Sequence, residues 1–230
     1  MVSLNFALFC AFLWLFFQTE ASIRIVLYLY GVLKMMALQF NFFDGSQDKQ
    51  TVLEGFRYQP ALIDRTDEDA LVARVRELPF REFEFHGYFG KRRVVSFGWQ
   101  YDFSGGGAIR KADDIPDFLL PLRERAASFA ELEPEALQHV LVTEYAPGAG
   151  IGWHRDKAVF GQVIGISLLA PCVLRFRRKV DGKWERVNVP AEPRSAYFLS
   201  GPARLEWQHS ILRVEALRYS ITFRNVLGQD

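Results

Sequence analysis

A chain of 230 residues is long enough to bury one sizeable core, and two small domains fit it less well. Half of its residues are apolar and 24% are charged, the balance of a soluble globular protein; Cys10 and Cys172 exclude a disulfide framework and point to a reducing compartment. A formal net charge of +1 excludes an overall basic nucleic-acid binder, so any such contact needs a local basic patch.

The first 35 residues differ from the rest. Leu4–Phe17 is almost wholly apolar, and a second apolar run, Ile23–Leu38, is broken by Arg24 and Lys34. No positive residue precedes the first run and neither is an unbroken span of about 20 residues, which argues against a signal peptide or a membrane anchor. A third reading starts translation at Met35 or Met36 and makes the leader an over-extended gene start. The expected organisation is thus a leader, 1–35, either an over-extended start or, if translated, a membrane anchor, and a single cytoplasmic domain, 36–230.

In chain order, Thr66–Asp69 resembles a capping box, and Leu71, Val72, Val75 and Leu78 follow at helical spacing, predicting a helix that ends before Pro79. Phe80–Phe85 alternates apolar and charged residues as a half-buried strand does. Lys91-Arg92-Arg93 leads into an expected strand Val94–Phe103, in which Trp99, Tyr101 and Phe103 alternate, and Ser104–Gly107 marks a loop. Pro116–Leu132 reads as a second helix with Phe118, Leu119, Leu122, Ala126 and Phe129 as its buried stripe. Short strands follow: Val140–Tyr145, Val163–Ala170, Val173–Arg178, Trp184–Val189, Ala196–Leu199 and Leu217–Arg224, with Asp181-Gly182 as a hairpin turn. Helices followed by antiparallel-looking strands predict an α+β chain, a β-sandwich or jelly roll with helices packed outside.

The turn Ala146–Gly150 precedes His154-Arg155-Asp156. In extended chain, positions i and i+2 share a face, so His154 and Asp156 would aim an imidazole and a carboxylate at one point. Those are two-thirds of a 2-His-1-carboxylate triad, which leaves positions open on Fe(II). Of the four histidines, His209 lies late in the strand-rich half, where a jelly roll brings it across the barrel mouth, and it is the expected third ligand. In the last strand Arg218, Ser220, Thr222 and Arg224 share one face. The Cα atoms of Arg218 and Arg224 would stand roughly 20 Å apart, yet two long guanidinium side chains leaning together could bracket a small dicarboxylate.

Together, His154-x-Asp156, His209 and Arg218-x5-Arg224, with Tyr145-Ala-Pro-Gly-Ala-Gly150, Ser200-Gly-Pro-Ala-Arg204 and Arg-Tyr-Ser-Ile-Thr-Phe-Arg224 around them, resemble the AlkB family of Fe(II)/2-oxoglutarate-dependent dioxygenases from about Phe80 to Asn225. The resemblance implies a double-stranded β-helix that holds Fe(II) by His154, Asp156 and His209. Arg218 would pair with the far carboxylate of 2-oxoglutarate and Arg224 with the end near the metal. Tyr145 would hydrogen-bond the cosubstrate, with Thr143 and Ser220 beside it, and O2 would take the vacant metal position. Thr143 stands where the family often has Asn. Ala158 stands where the nucleobase demethylases carry an acidic residue that contacts the base.

Trp99, Tyr101 and Phe103 resemble the family's aromatic lid and could stack on a flipped base, or they are simply the buried face of a strand. Lys91–Arg93 and Arg175–Lys179 could track a phosphate backbone or be solvated hairpin charge. The expected activity is demethylation of N-alkylated bases in single-stranded DNA or RNA, a DNA-repair type of chemistry, by a monomer with no obligate protein partner. The same chemistry on a protein or small molecule, and a jelly-roll module without iron, are the alternatives. His154-Arg155-Asp156 also opens a protein-kinase catalytic loop, but no Asn follows at the required spacing and no glycine-rich loop precedes it.

Overall fold

The two expected helices and most of the expected strands form, with boundaries moved by local backbone chemistry, and strands also form at Phe56–Gln59, Ile109–Lys111 and Gln208–Ile211, where none was expected. The computed structural model describes residues 53–85, 88–101 and 109–228, all within the unit Thr51–Asp230. The leader 1–35, His86, Phe103 and the Ser104–Gly107 loop lie outside the described residues. Helix α1 (Arg65–Val75) is capped by Asp64, whose carboxylate accepts the Asp67 N–H at 2.8 Å. The cap is therefore two residues earlier than the expected Thr66, because Asp64 is the residue with extended backbone. Helix α2 (Leu120–Ala130) follows a 3-10 turn, Asp117–Leu119. It is shorter than expected because Pro121 fits only its first turn, and Glu131, at φ 59°, takes the left-handed conformation that stops it.

The strands are β1 (Phe56–Gln59), β2 (Arg81–Phe85), β3 (Tyr88–Phe97), β4 (Trp99–Tyr101), β5 (Ile109–Lys111), β6 (His139–Tyr145), β7 (Ile151–His154), β8 (Phe160–Leu168), β9 (Cys172–Val180), β10 (Lys183–Ala191), β11 (Ala196–Leu199), β12 (Gln208–Ile211) and β13 (Arg218–Val226), with a short helix α3 (Gly201–Leu205) before β12. A seven-stranded sheet runs β1-β11-β8-β13-β6-β3-β2 and a four-stranded sheet runs β10-β9-β12-β7. The Asp181-Gly182 turn joins β9 to β10 with positive φ at both residues, as a two-residue hairpin requires. The strand expected over Val94–Phe103 breaks at Gly98. There φ is +79°, and a Cβ would fall 1.9 Å from the Gln138 carbonyl oxygen, so only glycine turns the chain here. Beyond it, β4 leaves the large sheet and pairs with β5 as a separate ribbon.

Alternation along the large sheet sorts its side chains into two cores. One face, with Val140, Val142, Ile164, Ile166, Leu168, Tyr219, Ile221 and Phe223, packs against Val72 and Val75 of α1 and Leu119, Leu122 and Ala126 near and on α2. The other core includes Tyr145, Val163 and Leu199 of the large sheet with Leu174, Phe176 and Ile211 of the small one. This antiparallel two-sheet arrangement with helices on one face is the jelly roll, one of the two architectures that the strand pattern allows and the one that the family resemblance implies. Among the described residues no helix is long and apolar enough to cross a membrane.

Candidate active site

The space between the two sheets is where the polar side chains collect. Strands β7 and β12 pair with His154 opposite His209, and their rings lie 4.2 Å apart between centroids. β7 ends at His154, so Asp156 is carried by the loop beyond it, yet its Oδ2 stands 3.6 Å from His209 Nε2. His154 Nδ1 is 2.9 Å from the Gly152 carbonyl oxygen. A carbonyl only accepts, so Nδ1 carries the hydrogen and Nε2 keeps its lone pair.

Among the described residues no three His, Cys, Asp or Glu side chains stand close enough together, as they lie, to hold a metal ion. The His209–Asp156 separation of 3.6 Å is nonetheless within the roughly 4.2 Å allowed to two donors each about 2.1 Å from a common ion. Protonation suits a cation too. Burial pushes His209 down to about 4 against the opposing pull of Asp156, and burial also lowers His154. Burial alone would raise Asp156, but Arg224, His209 and His154 outweigh it and hold the carboxyl well below its usual range. Two neutral imidazoles and one carboxylate are what a divalent ion needs.

Arg224 makes a contact that the sequence did not foretell. Its Nε and Nη2 donate to Asp156 Oδ1 at 3.1 and 2.8 Å, and Nη1 lies 3.4 Å from His139 Nδ1. The guanidinium fixes the carboxylate and leaves Oδ2 facing His209. Arg204, also buried, donates to the Lys157 and Phe160 carbonyls and so secures the loop that carries Asp156.

Arg218, fully buried, stands six residues back along β13. Its Nη2 donates to Ser167 Oγ at 2.7 Å, and its guanidinium carbon is 4.9 Å from the centre of the Tyr145 ring. Nε and Nη1 make no hydrogen bond of normal geometry, although the Tyr145 hydroxyl and the Cys172 thiol stand beside the guanidinium. A buried cation with two unused donors costs about 1–3 kcal/mol per unpaired group, and an anion is the group that would satisfy it. The pair Tyr145–Arg218 continues across the sheet to Arg92, and Thr143–Ser220 continues to Ser167. Thr143 and Ser220 are both buried. Burial pushes the Tyr145 phenol up, against Arg218 and Arg92 beside it. The donors therefore fit a small dicarboxylate at one end and a divalent ion at the other.

Sequence reasoning missed Ser167, Tyr197 and the inward-turned Arg92. The polar members of the alternating run Ile164-Gly-Ile-Ser-Leu168 were the available signal for Ser167. Tyr197, a phenol raised by burial beside Tyr145 and Arg218, packs its ring over Gly165, and nothing in the sequence signalled it. Of the aromatic residues expected to wall the substrate, only Trp99 has a side chain among the described residues. Trp99 is half-buried on the β4–β5 ribbon, whereas the Tyr101 side chain and all of Phe103 lie outside the described residues.

The 2OG-Fe(II) oxygenase superfamily matches residues 55–224, which take in every strand of the two main sheets up to Arg224. The chain belongs to this family. Its curated relatives include AlkB homologues. It is 28% identical over 171 residues to the "Alkylated DNA repair protein ALKBH8 homolog" of Arabidopsis thaliana, covering 59% of this chain and 49% of that one. It is 27% identical over 144 residues to the "Probable RNA/DNA demethylase ALKBH6" of Danio rerio, covering 62% and 58%. Among solved structures, OsALKBH1 matches with a TM-score of 0.59 at 16% identity over 74% of this chain and 96% of that one, a likeness of fold. The chain spans about half the length of the curated relatives it matches. Fe(II), 2-oxoglutarate and O2 are the cofactor and cosubstrates of this AlkB-like family of oxidoreductases.

Proposed function

We propose that this AlkB-like oxygenase demethylates N-alkylated bases in DNA or RNA. Arg218 carries the reading: a guanidinium wholly buried between two sheets, with Nε and Nη1 unpaired, is a preformed clamp for the far carboxylate of 2-oxoglutarate. In this reading His154, Asp156 and His209 hold Fe(II), and Arg224 orients Asp156 toward it. Tyr145, Thr143 and Ser220 supply hydroxyls along the cosubstrate, while the enclosing sheets keep water from it. The bound iron and cosubstrate would supply the oxidation, in which O2 and 2-oxoglutarate give succinate and CO2 as a substrate C–H becomes C–OH; on an N-methyl group that product releases formaldehyde.

Relatives named for alkylated-DNA repair and RNA/DNA demethylation support a nucleic-acid substrate, with Trp99, Tyr101 and Phe103 as the wall for the base. A second reading, the same oxidation of a protein or small molecule, is favoured by Ala158. That exposed residue offers no carboxylate to a base.

The test is succinate formation by anaerobically purified protein given Fe(II), 2-oxoglutarate and O2, beside His154→Ala. Methylated and unmethylated single-stranded DNA and RNA are offered in parallel. Succinate and formaldehyde that rise with the methylated strands and vanish in the variant support the demethylase. Turnover indifferent to nucleic acid moves the substrate to protein or a small molecule. Absence of both iron and succinate refutes the enzyme.

A further inference from the structure

The outer face of the four-stranded sheet is charged in one sense. Arg175 and Arg177 on β9 point away from the core residues Leu174 and Phe176, and Arg177 pairs in register with Arg186 and Arg175 with Ser210. Lys179 stands opposite Trp184 on the same face. The nearby carboxylates Glu185 and Glu206 are turned to Arg178 instead, at 2.7 and 2.9 Å. No carboxylate of these four strands shares the face with Arg175 and Arg177, which follows from the alternation and the register.

The cations are interleaved with indoles. Arg175 lies 4.9 Å and Arg177 4.3 Å from the Trp153 ring centre, and Arg177 is 4.4 Å from that of Trp184. Arg175 Nε is held by Ser210 Oγ at 3.1 Å and Arg177 Nε by Gln208 Oε1 at 2.8 Å. These bonds use the Nε edges, and the Nη pair of each guanidinium is the fork from which phosphate oxygens accept. Trp184 is 42% exposed, so part of its ring is open to solvent beside these cations. The row crosses four strands, a span of roughly 14 Å.

We propose that this face is a track for single-stranded nucleic acid, separate from the cleft between the sheets. Phosphates lie against Arg175, Arg177, Lys179 and Arg186, and a base stacks on Trp184. Cations alone would suit any polyanion. Flat rings interleaved with them favour a chain that alternates phosphate with an aromatic base over an acidic peptide or an anionic membrane. Trp153 directly precedes His154 in sequence, so a nucleic acid held on this row crosses the back of the β-strand that ends in the candidate metal site. The proposal shares its partner class with the demethylase reading, but it is decided by binding alone and survives if turnover fails.

The experiment is titration of the full chain, without added iron, into fluorescein-labelled oligothymidylate over a salt series. Trp184→Ala should weaken binding about five-fold or more, and Arg186→Gln should lower the slope of log K against log salt by about 0.7. Quenching of tryptophan fluorescence on binding should shrink in Trp184→Ala. Both positions are exposed, so thermal melts of the variants should match wild type. Unchanged affinity and salt slope in both variants would overturn the proposal. So would polyglutamate or phosphatidylserine vesicles competing as well as the oligonucleotide does.

Discussion

Along β13 the residues turned toward the helices and those turned between the sheets are equally buried and chemically opposite. Tyr219, Ile221 and Phe223 sit in the apolar core beneath α1 and α2, while Arg218, Ser220, Thr222 and Arg224 line the inner face. The first set loses water and gains packing, which stabilises the fold. The second loses water and, in Arg218, leaves two donors unpaired, which opposes folding. One strand therefore separates holding the protein together from holding a ligand, and substitutions on its two faces should fail in different assays.

The largest effect is expected on the apolar face. Ile221→Ala should cost about 2–5 kcal/mol of unfolding free energy, measured by denaturant melts, while the KM for 2-oxoglutarate stays unchanged below the melting range. The opposite pattern is expected at Arg218→Met. Loss of charge-assisted bonds should raise the KM for 2-oxoglutarate roughly 100-fold, whereas the ligand-free protein should be as stable as wild type or more so, because the variant buries no unpaired cation.

The inner face should also be the acid-sensitive one. His209 is held down to about 4 against about 6.5 in the unfolded chain. The unfolded state binds more protons between these values, so its contribution is complete above about 6.5 and is lost as pH falls toward 4. From His209 alone, metal-free protein should lose about 2 kcal/mol between pH 7 and pH 5. His154 and His139, also lowered by burial, add in the same direction. Denaturant melts at the two pH values should show the loss, and His209→Asn should reduce it. The smallest effect is expected at Thr143→Ala, where losing one hydroxyl should raise the KM for 2-oxoglutarate about five-fold and leave stability nearly unchanged.

The two faces of β13 were legible from alternation alone, because a residue's side of a strand follows from its parity. Buried polarity was not legible: Arg218, Ser220, Thr222 and Arg224 read equally well as a solvated face until the second sheet covers them. The convergence of His154, Asp156 and His209 could be expected from residue type and chain order. The bond from Arg224 to Asp156 could not, since it joins a strand to a loop 68 positions away. Local chemistry also escaped the coarse pattern, as at the Asp64 cap and at Gly98, where crowding against the Gln138 carbonyl diverts the chain from a strand that hydrophobicity would have continued.

The most direct test is the affinity of wild type and Arg218→Met for 2-oxoglutarate, measured by calorimetry under anaerobic conditions with saturating Fe(II), beside a thermal melt of each ligand-free protein. The expected result is saturable binding by wild type, binding roughly 100-fold weaker in the variant, and a melting temperature that does not fall. Equal affinity in the two proteins, or no binding by wild type, would contradict it.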